Sequence, residues 1–182
     1  MSWRPSRLPD AAAGIRVLGV DPGLVGTGWG LVEPAAGGAA RGAGAASVVA
    51  TGVITTSADA PLPSRVRDIY DGVVDVLAKH EPALLVLEDL YTEYKFPRTA
   101  LLMAHARGAI CLAAAQRDVP VLALAPAEVK RAIAAHGAAS KAQIQLGVQR
   151  LLRLPSPPRP SHIADALALA LTGLSRSGAR LA

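Results

Sequence analysis

The chain has 182 residues, 51% of them hydrophobic and 18% charged, which is enough apolar material for one ordinary domain and too much for a disordered chain. The single cysteine, Cys111, excludes a disulfide scaffold and a cysteine-based zinc site, and no run reaches the ~18 uninterrupted apolar residues that a bilayer crossing needs. The net charge of +5 hints at a polyanionic partner.

In chain order, residues 1–13 carry Arg4, Arg7, Asp10 and two prolines with no apolar core segment. They read as a flexible extension rather than a signal peptide, and the protein is expected to be cytoplasmic. Residues 15–21 (IRVLGVD) form a short β-branched run ending on an acid, which predicts a buried strand. Pro22 and Gly23 turn the chain into a second strand over 26–33, and residues 47–55 give a third. The intervening Ala/Gly stretch 35–46 is low-complexity loop. Three strands with short connections predict an antiparallel meander.

Residues 63–80 place Val66, Ile69, Val73, Val74 and Leu77 at helical spacing. Residues 83–88 (ALLVLE) are again continuously apolar and end on an acid, as a central parallel strand does. An apolar helix over 97–117 follows, then a short strand over 119–124. A helix over 126–135 is opened by Pro126 and stopped by Gly137, and one capped by Ser140 runs to Leu152. Residues 155–160 (PSPPRP) make a stiff link to a final helix, 161–171, capped by Ser161. The expected class is α/β, a mixed five-stranded sheet of three antiparallel strands plus two parallel ones, flanked by helices. The domain spans 14–174, followed by a C-terminal tail over 175–182. With 37 Ala and 3% aromatics, its core is built from Leu, Val and Ala at close range. Leu101, Leu102, Ala104, Ala109 and Leu112 give the 97–117 helix more apolar surface than one core needs, which fits either a dimer face or a buried helix.

Charge is unevenly spread: +1 over residues 1–13, −4 over 14–90 and +8 over 91–182. This asymmetry points to nucleic acid as readily as to solvated arginine-rich faces. Two of the acids in the front half, Asp21 and Glu88, each close a predicted strand, and strand carboxyl ends are where open α/β sheets bind ligands. His162 and Asp165 share one face at the head of the last, almost wholly apolar helix. Each acid alone has a plainer explanation, a solvated strand end or an answer to the helix dipole. Together with an imidazole they make an oxygen-rich set suited to Mg²⁺ or Mn²⁺ rather than to zinc. His105 reads as a satisfied helix histidine, and His80 and His136 as surface residues.

The segments GVDPGLVGTGWGLV, LVLEDLY, TALLMAHARGAI, APAEVKRAI, GAASKAQIQLGVQRLLRLP and SHIADALALAL occur in this order. Their joint pattern, over about residues 15–173, resembles the bacterial RuvC Holliday-junction resolvases of the RNase H-like superfamily. The resemblance implies an RNase H-like fold, a homodimer, and paired symmetric nicks in four-way junction DNA during recombination and repair. It places the family's acidic metal and catalytic positions on Asp21, Glu88, His162 and Asp165. The junction-packing aromatic falls on Tyr91, with Phe96 nearby, and the phosphate-holding lysines on Lys130 and Lys141. Arg98, Arg107, Arg131, Arg150 and Arg153 are further expected phosphate contacts. Two Mg²⁺ or Mn²⁺ ions per site would activate water and steady the leaving oxygen, giving 5′-phosphate ends. A RuvA–RuvB branch-migration complex is the further partner the resemblance implies, and no other cofactor and no membrane is expected.

Departures from the family's usual pattern at residues 92–98 and at His105 bear on cleavage-sequence preference. Three other readings stay open. An RNA–DNA hybrid nuclease would share the acids, and a non-catalytic junction binder would have lost one. An actin-like kinase or ATPase would share the GVDPGLVGTG turn but need a second phosphate motif.

Overall fold

A computed structural model describes residues 8–10, 14–35, 46–89 and 97–179. The run VLGVD forms β1 (Val17–Asp21), which pairs antiparallel with β2 (Gly26–Pro34), and β2 pairs antiparallel with β3 (Ala46–Thr55). Helix α1 (Leu62–His80) returns the chain so that β4 (Leu84–Glu88) lies parallel to β1. Helix α2 (Pro97–Ala115) then brings β5 (Val121–Leu124) parallel to β4. Three helices close the chain: α3 (Pro126–Ala134), α4 (Lys141–Leu151) and α5 (Ser161–Arg176). The strand order is β3-β2-β1-β4-β5, the mixed sheet expected from the sequence.

The continuous apolar runs of β1 and β4 are explained by cover on both faces. Val17, Leu84 and Val86 point into a cluster with residues of α3, α4 and α5. Leu18, Val20, Leu85 and Leu87 point into a second cluster with residues of α1 and α2. Leu8, from the segment expected to be loose, packs on the first cluster, as does Ala179 beyond α5.

Local chemistry sets the element ends, in places differently from expectation. Ser140 caps α4 as predicted, in a reciprocal capping box with Gln143. Ser161 does not cap α5: it is the first helical residue, Pro160 precedes it, and no side chain caps that end. Asp165 therefore lies beyond the first turn, where the dipole explanation for it weakens. Helix α5 runs to Arg176 rather than Leu171, because Leu174 is still buried and Arg176 reaches Glu128 of α3 at 3.4 Å. Helix α3 ends at Ala134, one residue before the expected Ala135, which turns left-handed (φ 57°). Helix α2 buries Ala106, Ala109, Ile110, Ala113 and Ala114, while Leu101, Leu102 and Leu112 stand in solvent. Among the described residues no helix is long and apolar enough to cross a membrane.

Helix α5 lies directly on β1 and β2, an approach that side chains would forbid. A Cβ built on Gly19 of β1 would stand 2.0 Å from the Ala166 carbonyl oxygen and 2.6 Å from the Ala170 nitrogen. A Cβ on Gly28 of β2 would stand 2.4 Å from the His162 carbonyl oxygen. Both obstacles are backbone, so relief means lifting the helix. Gly19→Ala is expected to destabilise the fold by about 1–3 kcal/mol or more, the cost of overpacking a filled core, read as a lower urea midpoint.

Candidate functional site

Two carboxylates meet because two strands end together. The β1–β4 register runs to Val20–Leu87, so Asp21 and Glu88 occupy the next position on adjacent parallel strands. Asp21 is also paired with Gly28 across the β1–β2 ladder, and it is over Gly28 that the His162 backbone passes. The head of α5 is thereby brought against the end of β1, with His162 Nδ1 2.7 Å from Asp21 Oδ2. Asp165, three residues further on, faces Lys141 from the first turn of α4, Nζ to Oδ2 at 3.0 Å. Asp21, Glu88 and Asp165 line one cavity of about 230 Å³, with Lys130 and Lys141 on its rim and apolar residues of α3, α4 and α5 in its wall. His162 approaches Asp21 from outside that lining.

The cavity is short of positive charge. Burial pushes the Asp21 carboxyl above its ordinary value, and Asp165 adds to this, against the opposing hydrogen bond from His162. Burial likewise raises Glu88, reinforced by the charges of Asp21 and Asp165, while Lys130 and Arg107 pull the other way. Among the described residues no three His, Cys, Asp or Glu side chains are gathered into a ready coordination shell. Two of the carboxylates instead lean on Lys141 and His162. The donors nonetheless fit a hard divalent cation: they are oxygen-rich and partly buried, burial raises Asp21 and Glu88, and the chain's own cations relieve them only in part.

Arg107 is placed otherwise than expected. It is 6% exposed and turned inward, so it does not present its guanidinium to DNA phosphate. Its Nη1 donates to the carbonyl oxygen of Glu88, and Nη2 lies 3.9 Å from Asp89 Oδ1. A signal for this was available: Arg107, Ile110 and Ala114 share one helical stripe, and that stripe is the buried one. Arg131, Arg150 and Arg153 are exposed on α3, on α4 and just after α4. Tyr91 and Phe96 lie outside the described residues, as does the side chain of Arg98. His136 is exposed and accepts from the Ala138 amide, His105 is exposed, and half-buried His80 packs on Trp29 with ring centres 5.7 Å apart.

The sequence model for crossover junction endodeoxyribonuclease RuvC matches residues 17–173. A curated relative, crossover junction endodeoxyribonuclease RuvC of Rhodopirellula baltica, is 43% identical over 157 residues, 86% of this chain and 84% of its own. The structure of T. thermophilus RuvC in complex with a Holliday junction substrate superimposes with a TM-score of 0.77 at 37% identity, over 87% of this chain and 92% of that one. The yeast mitochondrial Holliday junction resolvase Ydc2 superimposes with a TM-score of 0.65 at 15% identity, over 94% of this chain and 81% of its own, a likeness of fold.

A buried carboxylate with a raised pKa favours the folded state while protonated and costs stability as pH rises through that raised value. Glu88→Gln is therefore expected to melt higher than the unsubstituted protein at pH 7.5 in a chelator. That advantage should shrink as pH falls towards the ordinary carboxylate range, as read by paired thermal melts across pH.

Proposed function

The chain belongs to the RuvC family of crossover junction endodeoxyribonucleases, and we infer that it resolves four-way (Holliday) DNA junctions by hydrolysing phosphodiesters at the cavity of Asp21, Glu88 and Asp165. The observation that carries this reading is the meeting of three carboxylates from β1, β4 and α5 in one cavity whose rim holds Lys130 and Lys141.

In this reading Asp21, Glu88 and Asp165, with His162 beside them, would hold divalent cations, two of them and either Mg²⁺ or Mn²⁺. Bound there, such ions supply a lowered pKa for water and neutralise charge on the phosphate. The chain's own groups do the rest. Lys130 and Lys141 take phosphate oxygens of the strand entering the cavity, as compact point charges. Lys141 faces Asp165 and is exposed enough to turn to such an oxygen. His162, engaged through Nδ1, orients the Asp21 carboxylate and leaves Nε2 for a further partner. Water adds across the phosphorus–oxygen bond, leaving a 5′-phosphate and a 3′-hydroxyl. Tyr91 and Phe96 pack on bases freed at the junction centre, and Arg98, Arg131, Arg150 and Arg153 contact phosphates further out.

Paired nicks need two sites, and α2 offers the surface for a symmetric pair. Leu101 is 66% exposed and Leu112 52%, on the side of the helix away from the core. A branch-migration motor of the RuvA–RuvB kind is the partner that would deliver the junction.

Incubation with a four-way junction, a linear duplex and an RNA–DNA hybrid, in Mg²⁺ or Mn²⁺, tests the function. The junction is expected to yield two nicked duplexes while the other substrates stay intact, and Asp21→Asn is expected to abolish cutting. Equal cutting of the linear duplex or the hybrid, or full activity in Asp21→Asn, would overturn the assignment. For the pairing surface, Leu112→Asp is expected to shift the mass measured by light scattering from dimer to monomer and to uncouple the two nicks. An unchanged dimer mass would remove α2 from that role.

A further inference from the structure

The last peptide of β4 is held from both sides, and the two holders come from different elements. The β1–β4 ladder ends at Val20–Leu87, so the carbonyl of Glu88 lies one position beyond it. On one side the Asp89 amide donates to the Leu124 carbonyl of β5 at 2.8 Å. On the other, Arg107 of α2 donates to the Glu88 carbonyl while its second arm lies 3.9 Å from the Asp89 carboxylate. Arg107 is 6% exposed, deep enough that its charge needs these acceptors.

We propose that Arg107 is the positioning residue for Glu88: by clamping the Glu88–Asp89 peptide, it fixes the direction in which the Glu88 carboxylate enters the cavity. Arg107 reaches the backbone of Glu88, not the reacting atoms, so it acts only through that residue. A planar fork suits the task, because it spans a carbonyl and a carboxylate at once, whereas an ammonium is a single point charge. A carboxylate whose supporting peptide can rotate loses the geometry on which rate depends, and misplacement by about 1 Å can cost on the order of a hundredfold. The proposal rests on the reading of Glu88 as part of the cutting site.

The experiment compares the unsubstituted protein with Arg107→Met, Arg107→Lys and Glu88→Gln. Junction affinity is measured by gel shift without divalent metal, cleavage under single-turnover conditions with Mg²⁺, and folding by thermal melt. Arg107→Met is expected to cut about ten- to a hundredfold more slowly with junction affinity unchanged, and Arg107→Lys to recover part of that loss. Should Arg107→Met fail to fold, Arg107→Lys decides alone: slower cleavage at unchanged affinity supports the role. A loss of affinity matching the loss of rate would overturn it in favour of phosphate contact, and wild-type cleavage in the folded variants would overturn it outright. Full cleavage by Glu88→Gln would instead strike the reading of Glu88 beneath it.

Discussion

Everything at the proposed cutting site depends on how deeply α5 sits on the sheet. Helix and strand backbones come within reach of each other at Gly19 and Gly28, where no Cβ intervenes. That depth decides that His162 touches Asp21 and that Asp165 reaches the cavity Glu88 also lines. The alanines along α5, with Ala164, Ala166, Ala168 and Ala170 all buried, serve the same end from the helix side. A bulkier helix would hold the same acids at a distance where they could neither repel one another nor share a cation. The Ala-rich, aromatic-poor composition is thus the condition for the site's geometry.

The second organising fact is an imbalance of charge. Strand ends from the acidic front half deliver Asp21 and Glu88, and the basic back half delivers Lys130, Lys141 and Arg107 from the surrounding helices. Lys141 and Arg107 do different work despite equal charge. Lys141 lies on the rim, bonded to Asp165 and exposed enough to change partners. Arg107 is buried against backbone and remains a fixed part of the scaffold. Burial, more than residue type, separates a cation available to DNA from one committed to structure.

Much of this was legible in the sequence because each cue was local. An apolar β-branched run ending on Asp21 or Glu88 reports its own strand and its own end, and Ser140 with Gln143 reports its own helix start. The shared face of His162 and Asp165 follows from helical spacing alone. What escaped depended on distant partners. Ser161 looked like a cap, but Pro160 occupies the boundary and the helix begins one residue sooner. The last turn of α5 has no local cue, because the partner of Arg176 is Glu128 on another helix. Arg107 looked like one more surface cation, since nothing near it in sequence reveals an unpaired carbonyl at the end of β4. Arginines are ambiguous in a way that strand-end acids are not, because a long side chain on one helix can face either way.

Helix α2 has two opposed faces, and their opposition carries a consequence. One face reaches inward through Arg107 to the end of β4, and the other presents Leu101 and Leu112 outward. In the dimer proposed here, the two α2 helices would lie side by side between the protomers, each about 10 Å wide with its side chains. A contact that joins the protomers would then reach each centre through one helix, from Leu112 on its outer face to Arg107 on its inner one.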